Sequence, residues 1–196
     1  MIVPKHTLIF ATNNRNKVAE IQSLVGANFT IIPLKEAGIE IEIPEPHDQL
    51  EANAHEKAVT IFNLTHQNCF SEDTGLEIEA LDGAPGVKSA RYAGENSNAQ
   101  DNIDLVLNRM TGIENRSAQF RTVICLIWEN QTHYFEGVCK GQILSNMRGE
   151  NGFGYDPIFV PDGASKSFAN MTMEEKNQFS HRKKAVSQLF EFLDKV

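Results

Sequence analysis

The stretch Thr7–Lys17, TLIFATNNRNK, carries the order of elements that decides the fold. It opens with a short apolar run, Thr7–Ala11, which is typical of a buried strand, and continues with a polar turn. Apolar residues then recur at helical spacing, at Val18, Ile21, Leu24 and Val25. The stretch therefore predicts a strand, a turn and a helix, in that order.

Strand and helix signals alternate along the rest of the chain. Further strands are predicted at Thr30–Leu34, Ile39–Ile43, Asn68–Glu72 (closed by Asp73-Thr74-Gly75), Ala118–Trp128 and His133–Cys139, with a hairpin turn at Asn130-Gln131. Further helices are predicted from a capping box at Asp48 and Glu51 to about His66, after the caps Ser97 and Gln100, and at the end of the chain through Val186, Leu189, Phe190 and Leu193; Thr172 and Glu175 form one more capping box. This order predicts an α/β fold with a mixed sheet.

The composition describes an ordinary globular protein of 196 residues, for which we expect one domain over residues 1–196. The net charge of -8 argues against a nucleic-acid partner, because such binding needs clustered Lys and Arg. The start, MIVPKHTLIF, has too short an apolar stretch for a signal peptide, and Thr122–Trp128 is too short to cross a bilayer, so no membrane partner is expected. Three cysteines in apolar runs, Cys69, Cys125 and Cys139, are expected to be buried and reduced, which predicts a cytoplasmic protein.

Polar residues follow the first predicted strand, at the sheet edge where open α/β folds bind ligands. The turn Thr12–Lys17 offers backbone N–H groups at a helix start together with the Lys17 ammonium, and both suit phosphate oxygens. An ordinary capped turn is the alternative interpretation of the same residues. The chain has neither a P-loop pattern nor a GxGxxG that follows a strand.

Two acidic residues on separate predicted loops, Glu45 and Asp73, are candidate magnesium ligands. Magnesium bound to a nucleotide is typically held by one or two carboxylates, while phosphates and water fill the other positions. Most acidic loop residues are solvated, but Asp73 lies in EDTGL, an acid pair at the tip of an apolar run. Lys57, on the helix that follows Glu45, is either a phosphate ligand or an ordinary solvated lysine.

The segment Gly152–Phe159, GFGYDPIF, combines glycines with aromatic residues and predicts a nucleobase site. An aromatic ring stacks on any base, and glycine lets the main chain approach the edge of the base. The aromatic strand of an RNA-recognition domain is the alternative. It is disfavoured because Asn151 stands where a basic residue should lead and because Asp156-Pro157 interrupts the strand.

The last helix is preceded by a group of polar residues, Lys176, Ser180, His181 and Arg182. Such a charge run is usually a solvated face. His181 and Arg182 also supply forked N–H donors that suit a carbonyl oxygen on a base. Both interpretations remain open from the residues alone.

Six motifs in this order, TNNRNK, NAHEKA, EDTGL, SARYAG, NGFGYDPIF and MEEKNQFSHR, resemble the inosine triphosphatase family. Its members are pyrophosphatases that hydrolyse dITP, ITP and XTP to the monophosphate and pyrophosphate. The likeness runs from about Thr7 to Leu193. It implies a long mixed sheet with surrounding helices, two lobes around a central cleft, a requirement for Mg2+ and, as in bacterial members, a homodimer.

The resemblance also implies a role for each matching residue. Asp73 would be the general base and, with Glu45, would bind Mg2+, while Lys17 and Lys57 would assist catalysis at the phosphates. The residues implied in substrate binding are Thr12, Asn13, Asn14, Arg15, Asn16, Lys17, Thr74, Phe153, Gly154, Tyr155, Asp156, Lys176, His181 and Arg182. Glu72 stands where bacterial members often have a second aspartate, and the sequence leaves open whether Glu72 joins the metal shell.

Two other functions remain as alternatives. One is a pyrophosphatase of related fold that acts on other modified nucleotides. The other is a nucleotide sensor without catalysis, which would keep Lys17 and Phe153 but would have no use for the pair Glu45 and Asp73.

Overall fold

The computed structural model describes residues 6–26 and 28–196 of the chain. Its strands are β1 (His6–Phe10), β2 (Phe29–Pro33), β3 (Cys69–Ile78), β4 (Pro85–Gly86), β5 (Ser117–Trp128), β6 (Gln131–Ile143) and β7 (Phe159–Pro161). Its α-helices are α1 (Arg15–Gln22), α2 (Leu50–Thr65), α3 (Ala99–Arg109), α4 (Met173–Asn177) and α5 (His181–Leu193). Short 3-10 turns lie at Glu79–Leu81, Ser89–Arg91, Asp156–Ile158 and Phe168–Asn170.

The strands form one mixed sheet in the order β2-β1-β3-β5-β6-β7, with β4 paired to β3. Strand β1 runs parallel to both β2 and β3, whereas β4 is antiparallel to β3 and β7 is antiparallel to β6. Parallel neighbours need a crossover, and helix α1 supplies it between β1 and β2. The predicted α/β fold with a mixed sheet is therefore confirmed.

The first of two compact units comprises the described residues up to Asp73 together with Thr122–Gly137 and Arg182–Val196. Its core packs apolar side chains of β1, β2, β3 and β5 against one face of α1 and α5. The rings of Phe10 and Phe70 stack there at 4.5 Å between centroids. Helix α5 contributes the predicted apolar stripe, since Val186, Leu189 and Leu193 are buried.

The second compact unit comprises Thr74–Arg121 and Val138–His181. Its core joins α3 to the strand segments of this unit and to the aromatic residues of the carboxyl-terminal third. Phe120, Phe159 and Phe168 contact one another there, with ring centroids 4.7 to 6.1 Å apart. The single domain over residues 1–196 with two lobes and a cleft stays a prediction.

One predicted strand does not form, and the predicted end of another strand is wrong. Residues 39–43 form no strand: Ile39 is buried after a turn in which its N–H bonds to Leu34 O, and no pairing is described for the segment. Alternating polar and apolar residues predict one buried face, but a strand forms only when its backbone is hydrogen-bonded to a neighbouring strand. Strand β3 does not stop at Asp73, because Gly75 lets the Gly86 backbone approach so closely that a Cβ would lie 2.7 Å from its carbonyl oxygen.

Two predicted caps and one turn are also displaced. Helix α2 begins after Gln49 without a side-chain cap, so the predicted box at Asp48 and Glu51 is wrong. Helix α3 is capped by Asn98 and Asp101, one residue beyond the predicted pair Ser97 and Gln100. The hairpin turn is Glu129-Asn130, one residue before Asn130-Gln131, and both residues have the positive φ of a two-residue turn. The box at Thr172 and Glu175 is confirmed, and it caps α4.

None of the described helices has the length and apolar character that a membrane span needs. Residues 1–5 of the amino-terminal stretch lie outside the described residues. All three cysteines are free and buried, as expected.

Close packing at Gly141 generates a test of the sheet edge. A Cβ at this position in β6 would lie 2.2 Å from Val160 O and 2.7 Å from the Phe159 ring. We expect Gly141→Ala to lower the free energy of unfolding by about 1–3 kcal/mol, because this contact cannot relax without moving the β6–β7 pair. Urea unfolding measures the loss. Gly26→Ala is the control, since a Cβ there meets no described atom within 4 Å, and equal midpoints for the two variants would contradict the prediction.

Candidate active site

Strand β3 presents successive side chains to two different groups of helices within the first unit. Cys69 Sγ donates to Ala58 O, Ser71 Oγ donates to Ala54 O, and Asp73 contacts Lys57, so these alternate positions face α2. Of the positions between them, Phe70 belongs to the apolar core that includes α1 and α5, and Glu72 contacts Lys17 of α1 and Arg182 of α5. This alternation follows from the two-residue period of a strand. The adjacent acids Glu72 and Asp73 therefore lie in different surroundings.

The Lys57 ammonium joins the two acids that the sequence predicts as metal ligands. Its Nζ donates to Glu45 Oε1 at 2.6 Å and to Asp73 Oδ1 at 2.9 Å. The side chains of Lys57 and Asp73 are each 8% exposed and that of Glu45 is 27% exposed. Both carboxylates therefore lie within hydrogen-bond distance of one ammonium nitrogen. The structure therefore brings together three predicted site residues from separate segments.

Burial and neighbouring charges set the proton affinities in this cluster. Desolvation raises the pKa of Asp73, and the nearby Lys57 and Lys17 charges only partly oppose it. Desolvation lowers the pKa of Lys57, but attraction from Asp73 and Glu45 outweighs it and leaves the pKa above its ordinary value. The lysine therefore stays charged, while the aspartate becomes a stronger base than a solvated one.

Asn53, the first residue of the motif NAHEKA, also belongs to this cluster, although the sequence predicted no role for it. It is fully buried, its Oδ1 accepts from the His47 N–H, and its Nδ2 donates to His47 O, each at 3.0 Å. The same Nδ2 lies 3.4 Å from Asp73 Oδ2. Asn53 thus ties the loop that carries Glu45 to helix α2. The spacing of Asn53 from Lys57 could have indicated this role, because a residue one helical turn before Lys57 lies on the same face of α2.

A second buried ion cluster lies at the positions of β3 that face α1 and α5. Arg182 donates Nε and Nη2 to the carboxylate of Glu72, at 2.8 and 2.9 Å, and Nη1 to Glu20 Oε2. Lys17 Nζ lies 3.3 Å from Glu72 Oε1. Desolvation favours a neutral Glu72, but Arg182 and Lys17 outweigh it and lower its pKa to about 2. The contacts described for Arg182 are to acids, and its role at a base stays a prediction.

The turn Thr12–Lys17 is a capped helix start. Asn14 Oδ1 accepts from the backbone N–H groups of Asn16 and Lys17 at 3.0 and 3.2 Å, and Thr12 Oγ1 accepts from Asn14 N–H. Asn13, Asn14, Arg15 and Asn16 are exposed. The amides of Asn16 and Lys17 therefore already have a partner, and the Lys17 ammonium lies beside the buried Glu72 carboxylate. Phosphate binding by this turn stays a prediction.

In the second unit, Asp156 organises the aromatic segment. Its Oδ2 accepts from Phe153 N–H at 2.9 Å and from Lys176 Nζ at 2.6 Å. The Lys176 ammonium lies 5.3 Å from the centre of the Phe153 ring, within the range of a cation–π contact. Phe153 is partly exposed, whereas Asp156 and Lys176 are buried. The segment thus presents one aromatic ring backed by a fixed positive charge.

The glycines and Tyr155 of this segment shape the loop itself. A Cβ on Gly152, which has φ of +76°, would lie 2.1 Å from Asp156 Oδ2, so the close approach that glycine permits is internal. Gly154 also has a positive φ, with no described atom near a Cβ. Tyr155 is buried and donates its hydroxyl to Ser89 O at 2.8 Å. Its ring therefore anchors the loop, and the predicted stacking surface is the ring of Phe153.

His181 and Thr74 complete the predicted residues of the second unit. His181 is 2% exposed and stacks on Phe120, with ring centroids 4.7 Å apart and planes 14° apart. Thr74, the residue after Asp73 in β3, is partly exposed. Among residues 6–26 and 28–196, no three His, Cys, Asp or Glu side chains form a group that could hold a metal by themselves. Any divalent ion at Glu45 and Asp73 would need ligands from a substrate or from water.

The buried pair Arg182–Glu72 generates a stability prediction. Arg182→Met leaves the carboxylates of Glu72 and Glu20 without this cation in a buried site, so we expect a loss of about 3–5 kcal/mol in the free energy of unfolding. Lys166→Met is the matched control, because it removes an ion pair with Glu175 between two well-exposed side chains. Urea midpoints measure both changes. A small loss for Arg182→Met, no larger than for the control, would contradict the buried cluster.

Comparison with known proteins places this chain in a family. The sequence profile of the Ham1 family matches residues 8–192. A dITP/XTP pyrophosphatase of Porphyromonas gingivalis is 50% identical over 187 residues, which cover 95% of this chain and 96% of that protein. A dITP/XTP pyrophosphatase of Flavobacterium johnsoniae is 48% identical over 186 residues, covering 95% of this chain and 97% of that protein.

Solved structures give the same result. A HAM1 protein of Coxiella burnetii superposes with a TM-score of 0.89 at 35% identity, over 97% of this chain and 99% of that one. The Ham1 protein of Staphylococcus aureus superposes with a TM-score of 0.87 at 35% identity, over 96% of this chain and 98% of that one. These matches cover nearly the whole chain and confirm the family predicted from the six motifs. The protein belongs to the Ham1 family.

Proposed function

We propose that this protein hydrolyses deaminated purine nucleoside triphosphates, dITP, ITP and XTP, to the monophosphate and pyrophosphate. The proposal is supported by relatives named dITP/XTP pyrophosphatase that match 95% of the chain. The observation that carries it is the Lys57 ammonium bonded to both Glu45 and Asp73. A nucleotide-binding protein without catalysis would have no use for two acids gathered around one cation.

The cluster fits a magnesium ion by the chemistry of its donors. Glu45 and Asp73 supply hard oxygen ligands from two segments, and their two negative charges exceed the single positive charge of Lys57. We infer that these two acids hold Mg2+ together with the substrate phosphates. The ion would neutralise charge that develops on the leaving pyrophosphate.

Asp73 has the properties of a general base toward water. Its burial raises its pKa, and its contact with Asn53 and Lys57 fixes the direction of its carboxylate. The displacement between the α and β phosphates needs a water molecule positioned in line with the leaving group. We infer that Asp73 accepts the proton of this water. Lys17 and Lys57 would hold phosphate oxygens, since an ammonium binds phosphate as a point charge.

In the second unit, Phe153 and Lys176 support recognition of a base. The partly exposed ring of Phe153 offers a stacking face, and base stacking on an aromatic residue contributes about 1–3 kcal/mol. Lys176 and His181 carry N–H donors, which suit the 6-oxo group of hypoxanthine or xanthine. Adenine presents a donor at that position and would leave a buried group unpaired. We infer that this difference provides discrimination against ATP.

Further properties implied by the family remain proposals for this chain. We propose a cytoplasmic homodimer, and the free buried cysteines are in keeping with a reducing compartment.

Replacement of the proposed base tests the reaction. We expect Asp73→Asn to lower the release of pyrophosphate from ITP in Mg2+ by at least about a hundredfold, because an amide cannot accept the proton. Asp82→Asn is the control, since Asp82 is exposed and adopts a left-handed conformation that Asn tolerates. Wild-type protein that binds ITP without releasing pyrophosphate would support the sensor instead.

Selectivity for the base is tested by a panel of ITP, dITP, XTP, ATP, GTP and dUTP under the same conditions. We expect kcat/KM for ATP to be lower than for ITP by about 5- to 200-fold, which corresponds to one unpaired buried group at about 1–3 kcal/mol. Equal values for ATP and ITP would refute the recognition of the 6-oxo group. A maximum at dUTP would favour a pyrophosphatase of other modified nucleotides.

A further inference from the structure

Glu72 directly precedes the proposed base Asp73, and its position suggests a second metal ligand. Its side chain, however, is fully buried, whereas that of Asp73 is 8% exposed. As neighbours on β3, the two acids face different groups: Asp73 contacts Lys57 and Asn53 of α2, and Glu72 contacts residues of α1 and α5. Because neighbouring side chains of a strand point to opposite faces, a single metal ion beside Asp73 is not positioned to bind the Glu72 carboxylate as well.

Both oxygen atoms of Glu72 already accept hydrogen bonds. Oε2 accepts from Arg182 Nε at 2.8 Å, and Oε1 accepts from Arg182 Nη2 at 2.9 Å. Oε1 also lies 3.3 Å from Lys17 Nζ. A two-pronged contact with a guanidinium fixes the plane and direction of a carboxylate. A metal ion would have to break this two-pronged contact to reach Glu72, whereas Lys57 makes a single hydrogen bond to Asp73.

Lys17 is the member of this cluster that can reach a ligand. Its side chain is 17% exposed, whereas the side chains of Glu72 and Arg182 are 0% and 2% exposed. A lysine has four rotatable side-chain bonds, so an unanchored ammonium would have to be ordered when a phosphate binds. Glu72 provides an anchor that is itself immobilised by Arg182.

We propose that Glu72 is a positioning residue for phosphate binding, which holds the Lys17 ammonium for the polyphosphate and takes no part in the metal shell. The assignment rests on the proposed function, because it takes Lys17 as the phosphate ligand. Arg182 and Glu20 form the buried support of this anchor. Glu72 therefore acts through Lys17, and Asp73 acts through water and the ion.

Glu72→Gln separates positioning from metal binding. The amide keeps the shape of the side chain but removes the charge that attracts Lys17. We expect KM for ITP to rise about tenfold with kcat within about threefold, and the calorimetric affinity for tripolyphosphate in EDTA to fall by a similar factor. The half-saturating Mg2+ concentration at saturating ITP should stay within about twofold. Loss of a metal ligand would raise that concentration by tenfold or more and would overturn the proposal.

The metal-free binding measurement keeps this inference distinct from the proposed reaction. If the wild-type protein released no pyrophosphate, the proposed pyrophosphatase activity would be refuted. The tripolyphosphate affinities of the variants would still test whether Glu72 positions Lys17. Glu77→Gln is the matched control, because Glu77 lies on the same strand and accepts a hydrogen bond from Gln119 at 2.7 Å, away from this cluster. Its affinity for tripolyphosphate should equal that of the wild type. Unchanged affinity in Glu72→Gln would overturn the proposal.

A double-mutant cycle distinguishes positioning from general damage to the fold. If Glu72 acts through Lys17, then Glu72→Gln should change tripolyphosphate affinity by less than about twofold in a Lys17→Met background. A full tenfold effect in that background would refute the assignment. If the Glu72→Gln variant does not fold, Glu72→Asp can replace it in the affinity measurement, because it keeps the negative charge opposite Arg182. It should weaken the affinity by about threefold, and an unchanged affinity would count against the proposal.

Discussion

The two-residue period of β3 is the constraint on which the first unit depends. Between Cys69 and Asp73, alternate side chains bond to the backbone or side chains of α2, while Phe70 and Glu72 pack toward α1 and α5. A slip of one residue in the pairing of β3 with β1 would exchange these two sets. Asp73 would then face α1 and α5, and Phe70 would face the polar side chains of α2. The register of one strand therefore fixes both the packing and the chemistry.

The charges of the two clusters explain how they can be buried and still differ in use. Around Glu72 and Glu20, the two negative charges are balanced by Arg182 and Lys17, so this cluster is neutral and almost closed to solvent. The two acids bonded to Lys57 carry one negative charge more than Lys57 itself, and the Lys17 charge near Asp73 offsets only part of that excess. Burial of an unbalanced charge is costly, and a further cation would offset that cost. This difference in charge would favour a metal ion at Glu45 and Asp73 over one at Glu72 and Glu20.

The sequence predicted the order of elements and most residues of both clusters, because motif spacing and apolar periodicity are local signals. It failed where a tertiary contact decided the outcome. Ile39–Ile43 alternates like a strand but lacks a described partner, and β3 passes Asp73 because Gly75 admits the Gly86 backbone. The sequence predicted no role for Asn53, because its hydrogen bonds to His47 and Asp73 form only when the loop folds against α2.

The two units hold their lysines in the same physical way. Lys57 is bonded to Asp73 and Lys176 is bonded to Asp156, and all four side chains are at most 8% exposed. A lysine immobilised by an aspartate has already lost the rotamer freedom that binding would otherwise remove, so less of the interaction energy goes to ordering the site. Gly152 contributes to the same end, because only a residue without Cβ lets the Asp156 carboxylate lie against the loop and bond to Phe153 N–H. If Phe153 and Lys176 contact a base as proposed, their fixed positions relative to Asp156 would favour a matching base edge, because neither group could move to accommodate a mismatched one.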